Sequence, residues 1–417
     1  MSKKKGKTLE ELIPDAELRE RVRSQLYSGG ALLGQGSVFS EMLQAMVNAA
    51  LDGEMKHFMD EQKASQTDNR RNGYTDKEVR STAGQLEVKT PRDRHGAHEP
   101  LLIGKRQREL NSGMDEIILS LYGRGNSIDD IQAQLRQLYG LEVSTALIST
   151  ITERVWEEVL LWQQRPLSAC YTIVYLDGIY YRSRVEGKFE DRTIHTVYGI
   201  TAEGERDVLG MYVFDNEGSS NWAMVLEDLQ KRGVETILFC CVDGLSGIQD
   251  AIHRVFPQAV VQRCIVHMVR SSTKLVADKD LKRVCADLRK IYTAANEAQA
   301  RIALEEFGRQ WDGKYKSIRP KWEQAWSALM MFMDFGQDIR RMIYTTNPVE
   351  GLHRILRKVT KTKGAWTSDR ALQKQLYLAL KYNEKSWKKQ AYNWKAVQQE
   401  LIEKFGETFS CNSHDLI

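Results

Sequence analysis

Between Cys170 and Gln262 the sequence changes period in a way that a helical bundle cannot absorb. Tyr171–Tyr181, Thr193–Thr201 and Arg206–Asp215 are rich in β-branched and aromatic residues and predict three strands. Ala202-Glu203-Gly204-Glu205 makes a turn between the second and third, so the three can form an antiparallel meander. A helix capped by Ser219 or Ser220 follows and ends at Gly233. Then come a buried strand, Glu235–Asp243, a helix, Leu245–Phe256, and a fifth strand, Ala259–Gln262.

Three strands, helix, strand, helix, strand is the order of an α/β ribonuclease-H-like core with a mixed five-stranded sheet. Simpler three-layer folds alternate strand and helix from the start. From His267 to Met333 strand signals stop, and a stretch rich in Lys, Arg, Glu and Ala reads as helix. It holds Trp311, Trp322 and Trp326; Trp311 is either a core residue or a platform for an unpaired base. Asn347-Pro348 opens a further helix, since Asn caps well and Pro suits the first helical position.

Upstream, residues 1–8 read as a basic tail. Leu9–Met59 is helical in spacing, broken at Ser28-Gly29-Gly30 and Gly34-Gln35-Gly36, with Phe39, Met42, Leu43, Met46 and Val47 on a buried face. Residues 63–108 are polar and turn-rich, with room for a small strand pair around Gln85–Lys89. Residues 114–160 predict three helices: Met114–Tyr122, then Ile128–Tyr139 capped by Ser127 and ended by Gly140, then one opened by Ser144. Such a unit is either a helix-turn-helix-like DNA reader or a plain bundle.

At 417 residues, 42% hydrophobic with 7 Pro, the chain has material for two or three packed domains and is not disordered. No apolar run approaches the roughly 20 residues of a membrane span. Lys3-Lys4-Lys5 runs into Leu9-Glu10-Glu11-Leu12, so no secretory signal is expected either. Six Cys (170, 240, 241, 264, 285 and 411) make no disulfide framework, and a reducing, cytoplasmic setting is expected. The net charge of +4 is too small to name a partner, but its distribution is informative. Seven Lys/Arg and one acid, Glu350, lie between Arg340 and Lys363, and six Lys/Arg lie between Lys89 and Arg108. Clusters of this kind suit a polyanion.

Three carboxylates stand out by context. Asp177 sits inside an apolar strand, where a charge is costly unless a cation or hydrogen bonds compensate it. Asp243 ends a buried strand, and sites in α/β folds gather at strand carboxyl ends. Glu350 lies in the first turn of the helix begun by Pro348. Carboxylates brought together this way invite Mg²⁺ or Mn²⁺, and two such ions suit phosphodiester chemistry. His353, Arg354, Arg357 and Lys358 follow Glu350 by three, four, seven and eight, on roughly one helical face, and are expected to grip phosphates. Lys361 and Arg270 are expected to add DNA contacts. Cys264 and His267 have Cys-x-x-His spacing, but no second pair completes a zinc site nearby; Cys285 and His253 are weak candidates, and packing near the site or touching DNA is the better reading.

Four stretches carry a resemblance: Tyr175–Arg182, Val242–Ile248, Gln262–Arg270 and Thr346–Arg354, with Arg71–Tyr74 and Pro91–Arg94 adding to it. In these the chain resembles the Mutator-type transposases of bacterial insertion sequences, DDE enzymes with a ribonuclease-H-like core. The match runs over residues of about 40–385. The resemblance implies that Asp177, Asp243 and Glu350 are the metal-binding catalytic triad, with Cys264 and His267 a family signature. It also implies an all-helical insertion before the Glu helix. The expected organisation is 1–110, an N-terminal helical and irregular region; 111–165, a DNA-binding domain; 166–267, the first part of the core; 268–335, the insertion; 336–400, the second part of the core; and 401–417, a tail. The implied function is a DNA transposase, at least dimeric on DNA, acting on double-stranded terminal inverted repeats and target DNA with two Mg²⁺ or Mn²⁺ ions. A metal-dependent nuclease without strand transfer and a non-catalytic DNA-binding regulator are the alternatives.

Overall fold

The computed structural model describes residues 15–29, 36–81, 83–110, 113–139, 141–361 and 364–406, with Glu10, Ile13 and Gly34. The expected basic tail at 1–8, Gly140 and Cys411 lie outside the described residues. The chain divides into two compact units, Met1–Val155 and Trp156–Ile417. No helix among the described residues is long and apolar enough to cross a membrane.

In the first unit, α1 (Ala16–Ser28) and α2 (Val38–Ala64) start on Asp15 and Ser37, whose side chains accept from the N–H groups of Leu18 and Ser40. Val47 and Leu51 of α2 pack on a hairpin, β1 (Arg71–Ser81) and β2 (Gly84–Asp93), through Val79, Leu86 and Val88. The hairpin is longer than the pair expected around Gln85–Lys89. Phe39 and Met46 are 38% and 67% exposed, contrary to the expected face. The buried stripe is Val47, Leu51 and Met55, at intervals of four, because that row meets the hairpin.

Three helices follow: α3 (Gly113–Gly123), α4 (Ile128–Tyr139) and α5 (Thr145–Gln164). Ser127 and Asp130 cap α4 reciprocally: the Asp130 N–H donates to Ser127 Oγ at 3.1 Å, and the Ser127 N–H to Asp130 Oδ2 at 2.9 Å. Ile118, Ile131, Leu135, Ile148 and Ile151 are buried, one apolar face from each helix.

The second unit is built on a five-stranded sheet in the order β5-β4-β3-β6-β7, comprising β3 (Cys170–Val185), β4 (Lys188–Thr201), β5 (Arg206–Phe214), β6 (Thr236–Val242) and β7 (Val260–Arg263). β3, β4 and β5 are antiparallel neighbours, while β6 and β7 run parallel to β3. This is the expected mixed sheet with the expected element order. β3 and β4 extend well past the predicted ends and are joined by Glu186-Gly187, both at positive φ (47° and 87°), a tight hairpin turn.

α6 (Ser219–Lys231) and α7 (Ile248–Val255) cover one sheet face, closing over Val174, Leu176 and Val197 with Trp222, Leu226 and Ile252. The other face, with Ile173, Tyr175 and Ile179, shares one apolar core with helices from the rest of the chain. These are α8 (Ile265–Thr273), α9 (Asp278–Tyr292), α10 (Glu297–Trp311), α11 (Ile318–Gln324), α12 (Trp326–Met330), a 3-10 turn at Met331–Asp334, α13 (Gln337–Ile343), α14 (Asn347–Thr360), α15 (Asp369–Tyr382), α16 (Glu384–Trp387) and α17 (Trp394–Phe405). Trp311 is 5% exposed and its Nε1 donates to Asp287 Oδ2 at 3.0 Å, so it is a core residue and not a platform for a base.

Candidate active site

Sheet register brings two acids together. β3 and β6 run parallel with Leu176 opposite Val242, so the next residue on each chain is a carboxylate, Asp177 or Asp243. Asp243 Oδ1 accepts from the Leu245 N–H at 3.1 Å. Burial raises the Asp243 carboxyl above its usual range; the Leu245 bond opposes the rise and the charge of Asp177 adds to it. Gly244, at φ 99°, turns the chain here, and a side chain would collide with the Arg263 guanidinium.

Glu350 arrives from far along the chain through a row of tethers. Tyr175 OH donates to the Met342 carbonyl at 3.0 Å, Cys241 Sγ to that of Ile343 at 3.4 Å, and the Ile265 N–H to that of Tyr344 at 3.0 Å. The N–H and hydroxyl of Thr346 both donate to Cys264 Sγ, each at 3.4 Å. α14 begins there, with Pro348 in its first turn, and buries Val349, Leu352, Leu356 and Val359. That stripe fixes the rotation of the helix and turns Glu350 toward the two aspartates.

His267 Nε2 lies 3.1 Å from Glu350 Oε1, and Arg270 Nη1 donates to the same oxygen at 3.0 Å. The Cys-x-x-His pair therefore divides its work: Cys264 holds the approach to α14 and His267 holds its glutamate. Among the described residues, one group has metal-ligand geometry. Asp177, Asp243 and His267 each offer a ligand atom, all within 4.8 Å of one another. Cys264 is not in it, which argues against zinc on that pair. Glu350 is joined to the group through His267.

A cavity of about 480 Å³ is lined by Asp177, Asp243, Glu350 and His267, together with a fourth acid, Glu217. Glu217 lies in the loop before α6 and its Oε2 accepts from Tyr180 OH at 2.8 Å. Burial pushes its carboxyl up to about 7; the Tyr180 bond opposes this, and the charges of Asp243 and Asp177 add to it. A Cβ at position 178 would sit 2.6 Å from Glu217 Oε1, so the absent side chain of Gly178 makes room for this carboxylate against the backbone beside Asp177. Sequence reading did not single out Glu217.

His353 is a correction. It is 3% exposed, and its Nδ1 lies 3.2 Å from Asp177 Oδ2, so the ring orients a carboxylate inside the cavity instead of standing on the exposed basic face. It follows Leu352 in the buried stripe of α14, and that rotation carries it inward. Arg354 and Arg357 are exposed and line the cavity; Lys358 and Lys361 are exposed and do not. Arg270, 62% exposed, reaches the cavity from α8.

The acids converging here are rimmed by Arg270, Arg354 and Arg357, so the cavity sets hard oxygen donors suited to a cation beside guanidinium groups suited to an anion. The family model described as Transposase, Mutator family, matches residues 17–390. The probable transposase for insertion sequence element ISRM3-like of Sinorhizobium fredii is 35% identical over 397 residues, 94% of this chain and 99% of that protein. The transposase for insertion sequence element ISRM3 of Rhizobium meliloti matches with the same identity and coverage. A probable insertion-sequence transposase of Corynebacterium diphtheriae is 38% identical over 70% of this chain and 84% of its own length. This chain belongs to the Mutator family of transposases.

Proposed function

We propose that this protein is a DNA transposase with a ribonuclease-H-like core, which cuts DNA at the ends of an insertion sequence and joins the freed 3′-hydroxyls to target DNA. One observation carries the reading: Asp177, Asp243 and Glu350, distant in sequence, line one cavity rimmed by arginines. Asp177 and Asp243 are hard oxygen donors that would hold Mg²⁺ or Mn²⁺, two ions in all, with Glu350 and Glu217 beside them. When bound, such ions activate the attacking oxygen and stabilise the leaving one.

The chain's own residues do the positioning. His353 fixes the Asp177 carboxylate, and His267 with Arg270 fixes that of Glu350. Arg354 and Arg357 hold the non-bridging oxygens of the strand. In the first step water adds to the scissile phosphorus and the bond to the 3′-oxygen breaks, leaving a 3′-hydroxyl on the element and a 5′-phosphate on the flank. In the second that hydroxyl attacks a target phosphodiester, forming one P–O bond as another breaks. No enzyme–DNA bond forms, so no nucleophilic Ser or Tyr is required.

The three-helix stretch within 111–165 reads the terminal inverted repeats, residues 166–267 and 336–400 form the two parts of the core, and 268–335 is its insertion. Pairing two ends requires at least a dimer. The test is a duplex end with a free 3′-hydroxyl, incubated with target DNA and Mg²⁺. Joined product is expected; cutting without joining would leave a nuclease. Asp177→Asn should bind the end DNA and cut none of it, and full cutting by that variant would overturn the assignment.

A further inference from the structure

A second and larger cavity, about 750 Å³, is lined by residues of α8, the C-terminal end of α9, and α13. Arg270 belongs to its wall and also to the wall of the catalytic cavity, so this side chain stands between two neighbouring cavities. Four guanidinium groups line the second cavity, those of Arg270, Arg289, Arg340 and Arg341, and no carboxylate does. Arg340 is locked in place by donating to the carbonyls of Phe335 and Met333 at 2.5 and 2.6 Å. Arg289 and Arg341 have no acidic partner within 4.0 Å among the described residues. The rings of Tyr292, Phe332 and Tyr344 complete the lining, the last two with centroids 6.1 Å apart.

Arg270 is balanced by Glu350 and Arg340 by backbone carbonyls, which leaves Arg289 and Arg341 as the two unbalanced cations, and two such cations select an anion. Aromatic rings on the same wall select a flat, polarisable one. A nucleotide carries both, and the volume falls in the range that encloses one. We infer that this cavity takes one unstacked nucleotide of the DNA strand next to the scissile phosphate, its phosphate on Arg289 and Arg341 and its base among Tyr292, Phe332 and Tyr344. The inference rests on the transposase reading, because the shared wall at Arg270 is what makes the occupant a neighbour of the cut. Lifting that base out of the stack gives the carboxylates access to a backbone that a regular duplex would hold away.

The test uses the full-length protein and duplexes ending in the element's terminal repeat, with single abasic sites stepped one nucleotide at a time through the cut. Tyr292→Ala is expected to weaken binding of the intact duplex by about fivefold or more. On the duplex whose abasic site falls at the extruded position, Tyr292→Ala and wild type should bind alike. Tyr292→Phe, which keeps the ring, should bind as wild type does, showing that Tyr292→Ala fails through stacking and not through folding. An equal loss for Tyr292→Ala on every duplex, or no loss on any, overturns the inference while wild-type cutting leaves the transposase reading standing. Deoxyadenosine monophosphate bound by wild type and lost in Tyr292→Ala, with no abasic dependence, would make this a free-nucleotide site and overturn the strand assignment. Wild type that neither binds nor cuts the end DNA overturns both.

Discussion

Glu217→Gln isolates the electrostatic cost of the acidic cavity. The Glu217 carboxyl sits at about 7 against an ordinary 4.5, chiefly because burial strips water from its charged form. The folded chain therefore holds this proton more tightly than the unfolded one. The associated stability is fully present below about 4.5 and is lost as the pH rises through about 7. At 1.36 kcal/mol per pH unit the whole displacement is worth roughly 3 kcal/mol. The side chain lies at a partly open rim, so screening reduces this to roughly 1–2 kcal/mol. Glutamine is neutral throughout and still accepts from Tyr180. In EDTA, the stability of Glu217→Gln relative to wild type should increase by roughly 1–2 kcal/mol between pH 5 and pH 8. Urea midpoints at the two pH values, followed by tryptophan fluorescence, measure it. An offset that does not change with pH would refute the reasoning. Added Mg²⁺ should narrow or reverse the gap, because a cation favours the chain with the extra carboxylate.

Other expectations follow from single contacts. Gly178→Ala puts a methyl group 2.6 Å from Glu217 Oε1, which displaces that carboxylate, and should slow Mg²⁺-dependent cutting while end-DNA binding persists in a gel-shift assay; normal cutting would show the glycine is dispensable. Tyr175→Phe leaves the Met342 carbonyl without its donor and should cost about 1–3 kcal/mol in urea denaturation. An unchanged midpoint would remove this tether from the account. Arg357→Ala should lower DNA affinity and flatten the dependence of log K on log[salt] by about 0.9; an unchanged slope means that Arg357 touches no phosphate.

The sheet was legible because its strands are apolar runs bounded by turn residues, as in Thr236–Val242, where every residue after the first is buried. The distal halves of β3 and β4 were not. Arg182–Arg192 is mostly charged, and its pairing comes from the Glu186-Gly187 turn and strand continuity, not from an apolar pattern. Asp177 and Asp243 could be singled out because one is a charge inside an apolar strand and the other a charge at the end of one. Glu217 could not, because it lies in a polar loop where an acid is unremarkable by composition. Only folding brings it against Gly178, and the one trace in the sequence is that glycine beside the aspartate. His353 was misplaced for a related reason. Spacing from Glu350 put it among the basic residues, but the buried row of Val349, Leu352 and Leu356 sets the rotation of α14 and takes His353 inward with it. The separate duties of Cys264 and His267 likewise depend on where Thr346 and Glu350 arrive, which spacing does not encode.

The most direct test of the account replaces one non-bridging oxygen of the scissile phosphate with sulfur. If cations held by Asp177 and Asp243 contact that oxygen, one thio-diastereomer should be cut poorly in Mg²⁺ and recover in Mn²⁺, which accepts sulfur more readily. Equal rates for the oxygen and sulfur substrates in both metals, for both diastereomers, would contradict a metal-held phosphate at these carboxylates.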